Sequence, residues 1–200
     1  MDSTPRFERL DTMSAPPDLP AIVSRAFDVS RKRGYVSFCR NETGRLLATL
    51  AATRSGTLAE FGTGCGVGTA WLRSGVREHV NILTAELDPT LAEAAAEIFK
   101  DDDQVDVRAA DWSTLRDAGP FSLLFLDARE PKTSGADIIV DLIEPGGVVV
   151  LDDFTPCSSW PPVFEGRVDV LREGWLTDER FTTVEVMVAS DSSVLIATKR

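Results

Sequence analysis

Residues 57–69, Thr-Leu-Ala-Glu-Phe-Gly-Thr-Gly-Cys-Gly-Val-Gly-Thr, constrain what this chain can fold into more than any other stretch. An apolar run ends in a carboxylate and then in alternating glycines, a pattern that stops a strand and turns its backbone tightly. With no Cβ atoms at Gly62, Gly64, Gly66 and Gly68, main chain can lie directly against a ligand at the strand's C-terminal end. From Thr69 onward, Ala-Trp-Leu-Arg starts a helix whose first N–H groups point back to the same place. A dinucleotide loop needs its glycines at G-x-G-x-x-G, and here Val67 or Thr69 stands where the third would fall. That spacing disfavours NAD. A glycine-rich turn that holds no ligand is the plain alternative.

After this loop the chain alternates between apolar runs and helical patterns, as a parallel sheet with helices on both faces requires. A strand over 80–86 leads through Asp88-Pro89, an N-cap and a first helical residue, into an alanine-rich helix over 89–100. A strand over 104–109 and a short helix to Ala118 come next. Residues 121–127 read as a strand buried on both faces, followed by a helix over 134–143 that stops at Pro145-Gly146-Gly147 and a strand over 148–152. The tail contains a Pro/Ser/Trp-rich loop over 155–162 and a helix around 166–172. Strands over 181–189 and 193–199 then pair antiparallel, because their connection is short. Upstream, helices are expected over 18–33 and 42–54, with residues 35–39 extended between them. Residues 1–17, with Pro5, Pro16 and Pro17 among polar residues, read as a flexible arm. The expected fold is α/β in a single domain over 18–200. It is a Rossmann-like, doubly wound sheet of seven strands, mostly parallel, with an antiparallel C-terminal hairpin strand.

Composition narrows the partners. Arg and Lys total 21 against 32 acidic residues, a net charge of −11, which opposes a nucleic-acid surface or attachment to an anionic membrane. A small or cationic partner fits better, and a homodimer is compatible. No apolar run reaches bilayer length and the N-terminus lacks a signal-peptide core, so a cytoplasmic location is expected. Cys39, Cys65 and Cys157 are widely spaced, without metal-type pairing, and read as reduced thiols.

Ligands of open α/β sheets bind beyond the carboxyl ends of the strands. Those ends carry Glu60, Glu86, Asp111-Trp112, Asp127 and Asp152-Asp153, an acid at every one. Such a pocket suits hydroxyl donors and a cation. Glu86, closing its strand, can accept from both hydroxyls of a ribose.

The run Glu60-Phe61-Gly62-Thr63-Gly64-Cys65-Gly66 resembles the first motif of class I methyltransferases that use S-adenosylmethionine (SAM). The resemblance implies that Glu86 takes the ribose and that Asp111 and Trp112 hold adenine. Glu60 serves the methionine amine directly or through water, and the loop N–H groups take its carboxylate. The implied cofactor-binding set is Glu60, Gly62, Thr63, Gly64, Gly66, Gly68, Glu86, Leu87, Ala110, Asp111, Trp112 and Asp127. Residues 41–47, 125–129 and 150–154 also look like the small-molecule O-methyltransferases of the catechol type, which bind a divalent ion. The matching residues are Asp127, Asp152 and Asp153, implied as catalytic and metal-binding, and oxygen ligands suit Mg²⁺ or a similar cation. One departure is plain: that family has a lysine three residues after its first metal acid, where this chain has Glu130, flanked by Arg129 and Lys132. His79 precedes a strand, at the opposite edge from the ligand, and is a poor base. The implied activity is methyl transfer from SAM to a small-molecule acceptor, at a hydroxyl oxygen and with a metal's help. A SAM-binding protein without catalysis and a nicotinamide oxidoreductase are the alternatives.

Overall fold

A computed structural model describes residues 16–200, so most of the expected N-terminal arm lies outside the described residues. Two helices come first, α1 (Ala21–Lys32) and α2 (Asn41–Ala51). The loop stretch follows as β1 (Leu58–Phe61) and α3 (Val67–Gly75), and then β2 (Ile82–Glu86), α4 (Pro89–Phe99) and β3 (Val105–Ala109). A 3₁₀ segment (Trp112–Ala118) leads to β4 (Phe121–Leu126), the short helices α5 (Arg129–Thr133) and α6 (Ala136–Ile139), and β5 (Ile143–Phe154). The tail holds β6 (Val163–Phe164), β7 (Arg167–Val168), α7 (Val170–Thr177), β8 (Phe181–Ala189) and β9 (Ser192–Lys199).

Seven strands form one sheet in the order β3-β2-β1-β4-β5-β9-β8. The first five run parallel, and β9 is antiparallel to both β5 and β8. Strand order reverses between β1 and β4, which opens a crevice at their carboxyl ends. Alternation along the strands divides the core into two layers. Leu58, Ile82, Leu123, Phe125, Val148 and Val150 pack with Val23, Leu47 and Trp71 of α1, α2 and α3. Ala59, Phe61, Leu124, Leu126 and Leu151 pack on the other face with Trp112, Ile139 and Trp175. Gly44 lets α2 approach the Trp71 indole of α3 so closely that a Cβ there would overlap the ring. Among the described residues, no helix is long and apolar enough to cross a membrane.

Three local expectations need correction. The helix expected over 134–143 is broken: α5 begins at Arg129, Gly135 at φ 79° interrupts the path, and α6 is only a turn long. Pro131 and its polar neighbours look like a loop, yet Pro131 is the third residue of α5, where a missing N–H costs no helical hydrogen bond. Pro145-Gly146-Gly147 does not precede β5 but bulges out of it, between the Phe121↔Ile143 and Leu123↔Val148 pairs. The helix around 166–172 begins instead at Val170, because Glu165 and Gly166, at φ 50° and 75°, make the two-residue turn of a small β6–β7 hairpin.

Candidate functional site

The glycine loop joins β1 to α3 at the crevice. Gly62, Gly64 and Gly66 sit at φ 100°, 52° and 85°, conformations costly for other residues. Their bare α-carbons also serve packing. A Cβ on Gly62 would lie 2.9 Å from the backbone nitrogen of Ala128, and one on Gly64 would lie 2.7 Å from the Tyr35 hydroxyl oxygen. One on Gly68 would overlap Glu60 Oε1.

Glu60 is fully buried, on the layer shared with α3. Its Oε2 accepts from the hydroxyls of Thr69 and, at 3.0 Å, Thr84, its register partner on β2, while Oε1 has no partner. Burial pushes its carboxyl up to about 8, against the two threonine hydrogen bonds. The side chain braces the loop from beneath through Oε2, and among the described residues Oε1 is left without a hydrogen-bond partner. Thr63 is likewise turned inward, its Oγ1 2.5 Å from that of Thr84.

Glu86 faces the loop. Its Oε2 accepts from Gly64 N at 2.8 Å and its Oε1 from Asp88 N at 3.0 Å, so the carboxylate is fixed across the crevice mouth. Leu87 beside it is 72% exposed. Ala110 N donates to the Glu86 carbonyl, which brings Asp111 alongside. Asp111 accepts from Ser113 N at 2.9 Å, capping the 3₁₀ segment, and the hydrogen bonds of Ser113 hold its carboxyl below the usual range. Trp112 departs from expectation. Its ring lies in the core, 5.1 Å from that of Phe61, and it is only 9% exposed, which leaves little aromatic face for adenine.

The sequence reading overlooked Tyr35, the chain's one tyrosine. Gly34, at φ 67°, ends α1 and turns the chain so that Tyr35 lies over the glycine loop. Burial first, then the charges of Asp127 and Glu86, push its phenol up to about 12. A lone aromatic just past a helix-stopping glycine was the only available signal.

At the ends of β4 and β5, Asp127, Asp152 and Asp153 bring ligand-capable oxygens within 4.8 Å of one another, as the sequence led us to expect. Asp152 is buried and accepts from Thr43 Oγ1 of α2 at 3.3 Å. Burial and the neighbouring Asp153 raise it to about 6, and burial raises Asp127 well above the carboxylate range. Asp153 adopts φ 70°, an unusual backbone for a residue with a side chain. Three carboxylates at this spacing meet the donor chemistry of a hard cation. A cation is already there: Lys132 Nζ lies 2.9 Å from Asp153 Oδ2 and 3.9 Å from Asp127 Oδ1. The residues therefore fit a metal only if Lys132 leaves. Arg129, Glu130 and His79 are all exposed.

The comparisons agree with this geometry. Residues 59–154 match the family model described as a methyltransferase domain. No curated protein sequence matches the chain. An O-methyltransferase from Bacillus cereus, solved with S-adenosylhomocysteine (SAH), aligns with TM-score 0.71 and 18% identity over 92% of this chain and 93% of that one. The O-methyltransferase TomG from Streptomyces achromogenes, solved with SAM, aligns with TM-score 0.69 and 21% identity over 92% of each chain. An SAH-bound methyltransferase from Podospora anserina gives TM-score 0.74 and 21% identity over 91% of this chain and 89% of that one. The β1–α3 glycine loop, the acids beyond the parallel strands and the antiparallel β9–β8 edge give this chain the fold of the SAM-dependent methyltransferases, and residues 59–154 match a methyltransferase domain.

Proposed function

We propose that the chain transfers the methyl group of SAM to a hydroxyl oxygen of a small molecule. The observation that carries this reading is the adjacency of two sites. The glycine loop meets the β4–α5 turn at Gly62, so Glu86 and the cluster of Asp127, Asp152, Asp153 and Lys132 share the carboxyl edge of the sheet.

When bound, SAM supplies a sulfonium methyl; the C–S bond breaks with its electron pair kept by sulfur, a C–O bond forms, and the acceptor hydroxyl gives up its proton. The chain's residues bind and orient. The N-terminus of α3 suits the ligand carboxylate, Glu86 the ribose hydroxyls, and Asp111 the adenine amine. Alignment of methyl and oxygen supplies much of the rate. The acid and lysine cluster supports the choice of oxygen, since it pairs acceptors for a hydroxyl proton with a positive charge for the oxygen left behind. A divalent ion in that cluster is the second reading, favoured by the convergence of three carboxylates. A cytoplasmic location belongs to the proposal and is supported by three unpaired thiols.

Titration calorimetry with SAH tests the reading. Wild-type protein should bind, and Glu86→Ala should weaken binding about tenfold or more, the usual loss for hydrogen bonds to a charged group. Absence of SAH binding by folded wild-type protein would refute the assignment.

A further inference from the structure

Lys132 is the fourth residue of α5, and helical side chains lean towards the N-terminus of their own helix. Since α5 starts two residues after Asp127, that lean carries the Lys132 ammonium back over the carboxylate ending β4. Its stem is buried, and only 10% of the side chain is exposed. From the other side, the unusual φ of Asp153 turns its carboxylate, which is itself 74% exposed, onto the same nitrogen at 2.9 Å. Two elements that meet only in the folded chain thus aim at one ammonium. It lies where three acids converge, the place a divalent ion would take.

We propose that Lys132 is a built-in cation that replaces the divalent ion in this site, so that methyl transfer by this chain needs no metal. The inference rests on the methyltransferase reading above. A metal ion would have to approach the carboxylate oxygens to about 2.0–2.6 Å. The ammonium beside them blocks that approach by volume and by like charge. A fixed positive charge also performs the electrostatic task, holding an acceptor oxygen in its anionic form. Lys132 occupies this place from position 132, whereas a lysine at position 130 would begin on the exposed side of α5, where Glu130 stands.

The test is Mn²⁺ binding followed by electron paramagnetic resonance, with SAH calorimetry on the same samples. Wild-type protein should leave the free-ion signal undiminished at sub-millimolar Mn²⁺ while binding SAH. Lys132→Ala should gain a single Mn²⁺ site at least about tenfold tighter than any wild-type binding, and adding Asp152→Asn should abolish it. Tight Mn²⁺ binding by the wild type, no weaker than that of Lys132→Ala, overturns the proposal and leaves the methyltransferase reading standing if SAH still binds. Wild-type protein that binds neither ligand overturns both. If circular dichroism shows that Lys132→Ala fails to fold, the wild-type arm decides alone: a bound ion refutes the built-in cation and a free ion supports it.

Discussion

The two halves of the crevice neutralise their acids by different means. Around β1 and β2, carboxylates are met by neutral donors: Glu60 by two threonine hydroxyls, and Glu86 by the backbone N–H groups of Gly64 and Asp88. Around β4 and β5, three carboxylates converge and two of them, Asp127 and Asp153, meet one ammonium. Neutral donors fix direction and distance without adding charge. A partly buried charge cluster fixes less but responds to what enters.

The sharpest way to break this contrast is to push Glu60 out of its socket. Gly68→Ala would drive a methyl into Glu60 Oε1, beside Phe125, in a buried layer. Overpacking and lost hydrogen bonds together should cost about 3 kcal/mol, read as a lower urea midpoint at unchanged slope.

A pH series separates the halves next. The folded-state pKa of Glu60, about 8, lies above its ordinary value of 4.5, so the native protein binds a proton that the unfolded chain releases. The stabilisation is complete below pH 4.5 and declines as pH rises to about 8, where it is gone. Glu60→Gln should remove its own share of the decline, worth a few kcal/mol on the order-of-magnitude conversion of pKa shifts, and leave the shares of the raised Asp127 and Asp152. Urea titrations between those limits should show a flatter profile for the variant. A profile as steep as wild type would mean that Glu60 titrates normally and that the two halves do not differ as described.

The smallest effect belongs to the exposed rim of the cluster. Asp153→Asn removes the close partner of Lys132, but the aspartate side chain is 74% exposed, so water screens the pair. Stability should fall by less than about 1 kcal/mol. A larger loss would show that the ammonium is held mainly by Asp153 rather than shared with Asp127.

The first half was also the more readable. Alternating glycines, the carboxylate before them and Asp88-Pro89 are local signals, and α3, α4 and Glu86 stand where those signals put them. The core position of Trp112 was hidden because a strand-end aromatic looks the same whether it faces a ligand or packs on Phe61. In the second half, Asp127, Asp152 and Asp153 were legible as strand ends, but their partner was not. Lys132 enters through a helix only five residues long that contains a proline and shows no apolar period. Its alignment with Asp153 depends on a backbone φ that no residue type announces. Tyr35 was missed for a related reason: its place over the loop follows from how α1 ends, a tertiary fact.

One consequence follows from the socket beneath the loop. The first turn of α3 carries the positive end of its dipole. An ionised acid so close would spend that field internally. Because burial keeps Glu60 protonated near neutrality, with Oε1 free to carry the proton, the helix end keeps its attraction for an incoming anion. The chain thereby carries a carboxyl group at the base of a helix N-terminus without cancelling the field there, until alkaline conditions strip the proton.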